Sequence, residues 1–186
     1  MKKMSVLLFL MCMPSPGLSV EIAGVEIPGT IQTDGITLVL NGAGLRTKTF
    51  LKIKVYAAGL YLPEKSDSGG AIVAADTPMA IRMVFIYDGV SPEKLVDAWN
   101  EGFENAGATA SLENEIGVFN ACFTREAKRG DVYDLIYLPG KGVAVIINGA
   151  PEGMIPGLAF KKALFSIWLG DDPCDDDLKE AMLGMD

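Results

Sequence analysis

The 186 residues carry 24 Asp and Glu against 16 Lys and Arg, and no histidine. A net charge of −8 without a basic block argues against a nucleic-acid partner, because cationic side chains supply most of the affinity for phosphates. The missing histidine removes Ser-His-Asp, Cys-His and histidine-metal chemistry together. With 49% hydrophobic and 22% charged residues, the chain has the size and composition of one globular domain.

Lys2 and Lys3 precede an apolar run over residues 5–13, and Pro14-Ser15-Pro16-Gly17-Leu18-Ser19 then places small residues at 17 and 19. A charged start, a short apolar run and a small-residue ending read as a secretory signal over residues 1–19. They predict export, to the periplasm or the medium, and a single mature domain over 20–186. The apolar run falls short of the ~20 residues a membrane span needs, so no stable membrane insertion is expected once the signal is cleaved. Cleavage leaves Cys122 and Cys174, whose pairing the sequence leaves open.

Strand signals occupy 25–28, 30–34 and 36–40, and Asn41-Gly42-Ala43-Gly44 reads as a break. The longest period-2 stretch runs over 49–62. It sets Phe50, Lys52, Lys54 and Tyr56 on one face and Leu51, Ile53, Val55 and Ala57 on the other. After a polar loop comes a helical turn near 71–75, then a strand over 79–87. Ser91 and Pro92 open a helix, as an N-cap and a first-turn proline. Its buried stripe is Leu95, Trp99, Phe103 and Ala106, with Gly107 as its stop. Residues 116–125 and 131–138 are expected to form a hairpin, and 143–149 the last strand. Beyond Pro156 the period becomes helical, Gly170-Asp171-Asp172-Pro173 interrupts it, and Asp175 caps a short final helix that ends near Gly184. Several strands with one central and two terminal helices predict an α+β domain.

Few chemical motifs stand out. Gly42 and Gly44 do not make a phosphate loop, because no Gly-Lys-Ser/Thr follows and the next segment reads as a strand. The cluster Asp171, Asp172, Asp175, Asp176 and Asp177 lacks the spacing of a calcium loop and is accounted for by a helix N-terminus, so neither a metal nor a cofactor is indicated. Cys122 has no histidine base to activate it.

Asn41-Gly42-Ala43-Gly44-Leu45-Arg46, followed by Lys54-Val55-Tyr56-Ala57-Ala58-Gly59-Leu60-Tyr61-Leu62, resembles the chalcone isomerase family, as do the helix over 91–103 and Leu164-Phe165-Ser166-Ile167-Trp168-Leu169-Gly170. The similarity is nearest to exported bacterial members. It implies an open-faced β-sandwich, a large antiparallel sheet packed by a layer of helices with a cleft between them. The family's catalytic Arg corresponds to Arg46 and its active-site Thr falls at Tyr56. Its Tyr and Asn near the central helix map to Val90 and to Asp97 or Ala98, so neither is kept, and its C-terminal Ser/Thr corresponds to Ser166. The non-catalytic, fatty-acid-binding members pair an Arg with a Tyr, as Arg46 and Tyr56 do here. The resemblance therefore implies a cleft that binds a fatty acid or similar amphipathic carboxylate through Arg46, Tyr56 and Ser166. The alternatives are an intramolecular lyase that uses Arg46 as its electrostatic stabiliser, and a ligand-free interaction scaffold. The chemistry of the pair suits the first reading. A guanidinium grips a carboxylate bidentately, a phenol adds a donor, and each buried methylene of a tail contributes ~0.8 kcal/mol.

Overall fold

The computed structural model describes residues 18–48 and 51–185. Most of the expected signal segment, residues 1–17, lies outside the described residues, as do Thr49 and Phe50 of the expected long strand.

Two short strands, β1 (Val20–Ile22) and β2 (Val25–Ile27), form a hairpin of their own. Seven more make one curled, wholly antiparallel sheet: β3 (Thr30–Thr33), β4 (Ile36–Lys48), β5 (Ile53–Leu62), β6 (Met79–Phe85), β7 (Val132–Leu138), β8 (Gly142–Ile147) and β9 (Ala150–Ile155). Spatial order follows chain order, so each strand pairs with its sequence neighbour. The helices are α1 (Gly69–Ala74), α2 (Pro92–Asn105), α3 (Glu113–Asn120), α4 (Leu158–Leu169) and α5 (Asp176–Met182). The α+β class and the large antiparallel sheet with a helical layer are as the sequence implies.

Alternation along β5 divides the core between the two sheet faces. Tyr56, Ala58, Leu60 and Leu62 meet the helices, joined by Trp99, Phe103, Phe119, Phe160 and Trp168. Ala57 and Tyr61 turn to the opposite face with Leu38, Leu40 and Ala80, where Ile22, Val25 and Ile27 of the β1–β2 hairpin cover part of the sheet. A period-2 strand with both faces apolar must be covered on both sides.

The helix caps follow the sequence reading. Ser91 Oγ accepts the Lys94 backbone N–H, with Pro92 in the first turn of α2, and Gly107 takes φ +67° just beyond its end. Asp175 Oδ1 accepts the Leu178 N–H at 3.1 Å and caps α5, and Gly184 lies just past it at φ +67°.

Five expectations are corrected. Residues 41–44 are not a break but the middle of β4, because their glycines serve packing. A Cβ at Gly42 would lie 2.1 Å from the Ala181 carbonyl oxygen, and one at Gly44 would lie 2.6 Å from the Ala181 Cβ. The strand expected over 49–62 begins only at Ile53, after a turn in which Lys52 adopts φ +49°. The two-faced pattern expected there holds for Tyr56 against Ala57 but breaks at Val55. A bulge between the pairs Arg46/Tyr56 and Thr47/Lys54 leaves Val55 as the extra residue, so Val55 packs with Tyr56 against the helical layer. Residues 116–125 form no strand: Ile116 and Phe119, three apart, put one face of α3 into the core beside Trp99 and Phe103, and this packing overrides β-propensity. Finally, β9 follows the expected last strand. Its Pro151 and Gly153 disguise it, and both are tolerated because β9 is the sheet edge. Cys122 and Cys174 are both free thiols.

Candidate ligand-binding site

Arg46 and Tyr56 stand directly opposite each other on β4 and β5. Antiparallel pairing sets such side chains side by side on one face, here the face turned to the helices. Both border a cavity of about 640 Å³, which lies within the range of small-molecule sites. Ile53, Val55 and Phe85 from the strands and Leu95, Trp99 and Ile167 from α2 and α4 give it apolar wall. The lining is mixed, however. Lys48 and the exposed α2 residues Lys94, Asp97, Glu101 and Asn105 also border it, as do Pro173 and Cys174 of the loop before α5.

Arg46 is partly buried, its side chain 20% exposed. Its Nη1 donates to the Asp175 carboxylate (Nη1–Oδ2 3.1 Å) and to the Thr47 carbonyl. The same Oδ2 accepts the Thr47 backbone N–H at 3.2 Å, so Asp175 ties the end of β4 to the start of α5 while its other oxygen caps that helix. Two backbone donors thus hold the carboxylate independently of Arg46.

The Tyr56 hydroxyl is buried and accepts a hydrogen bond from Trp168 Nε1 at 3.0 Å. Its ring meets Phe85 edge-on, centroids 5.7 Å apart. Burial pushes this phenol well above its ordinary pKa, and the neighbouring Cys174 adds to the rise, against smaller downward pulls from Arg46 and the Trp168 donor. Tyr56 is therefore a neutral hydroxyl at any physiological pH. Burial likewise raises the Cys174 thiol, an effect that the Arg46 charge opposes. A raised thiol is a poor nucleophile, so Cys174 is cavity wall.

Ser166 is not brought to this pair. Its hydroxyl donates to the Lys162 carbonyl one turn back in α4 (2.8 Å), and it borders a separate depression with Gly69, Asn105 and Lys179. The positions that replace the family's Tyr and Asn do reach the cavity: Val90, Asp97 and Ala98 all line it.

Three neighbours of the pair escaped the sequence reading. The sequence reads Asp175 as a cap in an acidic cluster, Cys174 as a candidate disulfide partner and Trp168 as part of a family-like stretch, and links none of them to the pair. Each sits more than 110 residues from its partner, and no local pattern links residues at that separation.

A family description, chalcone isomerase-like, matches residues 19–184. The chain belongs to the chalcone isomerase-like family. Among its relatives, fatty-acid-binding protein 1 of Arabidopsis thaliana is 25% identical over 189 residues, covering 86% of this chain and 67% of that protein. A crystal structure of an Arabidopsis thaliana fatty-acid-binding protein superposes with a TM-score of 0.74, covering 89% of this chain and 96% of that one at 23% identity. That superposition establishes the chalcone isomerase-like fold for this chain. The Arg46–Tyr56 pairing and the cavity it borders are read from this structure.

Proposed function

We propose that this protein binds a fatty acid or similar amphipathic carboxylate, non-catalytically, in the cavity bordered by Arg46 and Tyr56. One observation carries the reading: a permanently charged guanidinium and a neutral phenol stand side by side at a cavity to which β5 and β6 contribute apolar wall. The hydrogen bonds of Arg46 run through Nη1, which leaves its Nε–Nη2 edge, the geometry that suits a carboxylate, for a head group. Apolar side chains of β5, β6, α2 and α4 then receive the tail. The fatty-acid-binding relatives support the same ligand class.

Head group and tail make separable predictions. Across saturated fatty acids, each added methylene that enters the cavity tightens binding by ~0.8 kcal/mol, about fourfold, until the cavity is filled. Arg46→Ala weakens laurate binding by ~1–3 kcal/mol and methyl laurate binding much less, because the ester offers the guanidinium an acceptor but no charge. Isothermal titration calorimetry on the wild type and the variant measures both. Laurate affinity that is equal in the two proteins would remove Arg46 from the site, and an affinity independent of chain length would remove the cavity.

A further inference from the structure

We propose that Asp175 is a resident counter-carboxylate that holds Arg46 against the incoming ligand and so sets how strongly the site favours carboxylates over uncharged head groups. This inference rests on the binding reading above.

Arg46 is already half satisfied by the protein itself. Its Nη1 is 3.1 Å from Asp175 Oδ2, and the Asp175 side chain is only 11% exposed, so water screens the pair weakly. The guanidinium and this carboxylate together carry no net charge. A ligand carboxylate on the remaining edge of Arg46 gains one charge-assisted contact and meets one like charge. An alcohol or ester meets no like charge and accepts a weaker contact from the guanidinium. Asp175 cannot simply swing away, because the Leu178 N–H (3.1 Å) and the Thr47 N–H (3.2 Å) hold its two oxygens from the other side. The competing charge is therefore built into the end of the sheet and persists when the ligand is bound. Its function would be to keep carboxylates exchangeable, so that the tail supplies most of the affinity.

The geometry supplies a test in which folding and charge separate. Asn is as good an N-cap as Asp, so Asp175→Asn keeps α5 capped while removing the charge. Asp175→Ser also caps the helix but is too short to reach Arg46. Laurate and lauryl alcohol are titrated into the wild type and both variants, with thermal unfolding as the check on fold. In each variant laurate should bind about tenfold more tightly than in the wild type, with lauryl alcohol changed by less than about twofold, so the preference for the acid rises by about an order of magnitude. Laurate that binds the wild type, but gains nothing or weakens in both folded variants, would overturn the inference alone and make Asp175 a residue that positions Arg46. Failure of laurate to bind any of the three proteins would overturn the binding function and this inference with it.

Discussion

Helix α5 rests on two glycines of β4, and an added methyl group there would test how the head-group end of the cavity is built. An alanine Cβ at Gly42 would lie 2.1 Å from the Ala181 carbonyl oxygen and 2.8 Å from that of Met182. Carbon and oxygen pack at ~3.3–3.6 Å even in close contacts, so β4 and α5 must separate by roughly 1 Å. Overpacking of this kind costs ~1–3 kcal/mol. The separation also strains the Asn41 Nδ2 bond to the Met182 carbonyl (2.8 Å), a buried hydrogen bond worth ~1 kcal/mol. Gly42→Ala should therefore lose ~2–4 kcal/mol, a fall in Tm of ~4–16 °C for a chain of this length. Because Asp175 caps α5, the same shift should weaken laurate binding or alter its salt dependence. Gly70→Ala is the control. Its Cβ would meet nothing within 4 Å and it lies in α1, so it should be neutral or slightly stabilising. Differential scanning calorimetry of the two variants decides the matter. If Gly42→Ala melts with the wild type, the two glycines are not what seats the helix.

Two other outcomes follow from the structure. Lys161 is fully buried and donates to the carbonyls of Ile72 (2.7 Å), Val73 (3.0 Å) and Ala75 (2.8 Å), and burial pushes its pKa down to about 8. The unfolded chain holds that proton to ~10.4, so it binds more protons than the folded chain between about pH 8 and that value, and the lysine's contribution to stability rises with pH there. Urea unfolding at pH 7.5 and 9.5 should show this as a slope that Lys161→Met lacks; equal slopes in the two proteins would refute it. Ser166→Ala should leave laurate affinity unchanged within twofold, because that hydroxyl is bonded within α4 and borders another depression; a clear loss in calorimetry would bring Ser166 back to the site.

What could be read in advance, and what could not, divides along the range of the interactions involved. The caps of α2 and α5 were legible because Ser91 and Asp175 act on residues three positions away. The strand run 79–85 and the helix after Pro156 were legible from periodicity. The segment 41–44 was misread because glycine has two uses, turning the chain and letting another element approach. Only the position of α5, some 140 residues later, tells which applies. The strand at 150–155 was hidden because Pro151 and Gly153 count against a strand anywhere but at an edge, and which strand lies at the edge is a property of the whole sheet. In the site, Arg46 and Tyr56 were found by resemblance. The structure adds that they are cross-strand neighbours, and a bulge at Val55 turns one more apolar residue toward the cavity.

The same geometry weighs binding against isomerisation. Closing an unsaturated ketone onto an internal oxygen places growing negative charge on the substrate, and a site that accelerates it must aim donors at that charge. Here the guanidinium that could do so is already met by Asp175. Near the start of α2, Val90 brings no donor to the cavity and the Asp97 carboxylate brings acceptors, so the donors from this helix are Lys94 and, further along, Asn105. Tyr56 takes the indole N–H of Trp168 on its oxygen and is held far from ionisation by burial. Beside the pair, a developing oxyanion would thus find one free edge of a neutralised Arg46 and one hydroxyl, with three carboxylates, Asp97, Glu101 and Asp175, bordering or touching the same space and Lys48 and Lys94 on its border. A resting carboxylate needs no more than that edge and that hydroxyl, since its charge is already formed and its tail, not its head, supplies most of the affinity. On this balance of charges the Arg46–Tyr56 end of the cavity fits the proposed role of holding an acid better than that of closing a ring.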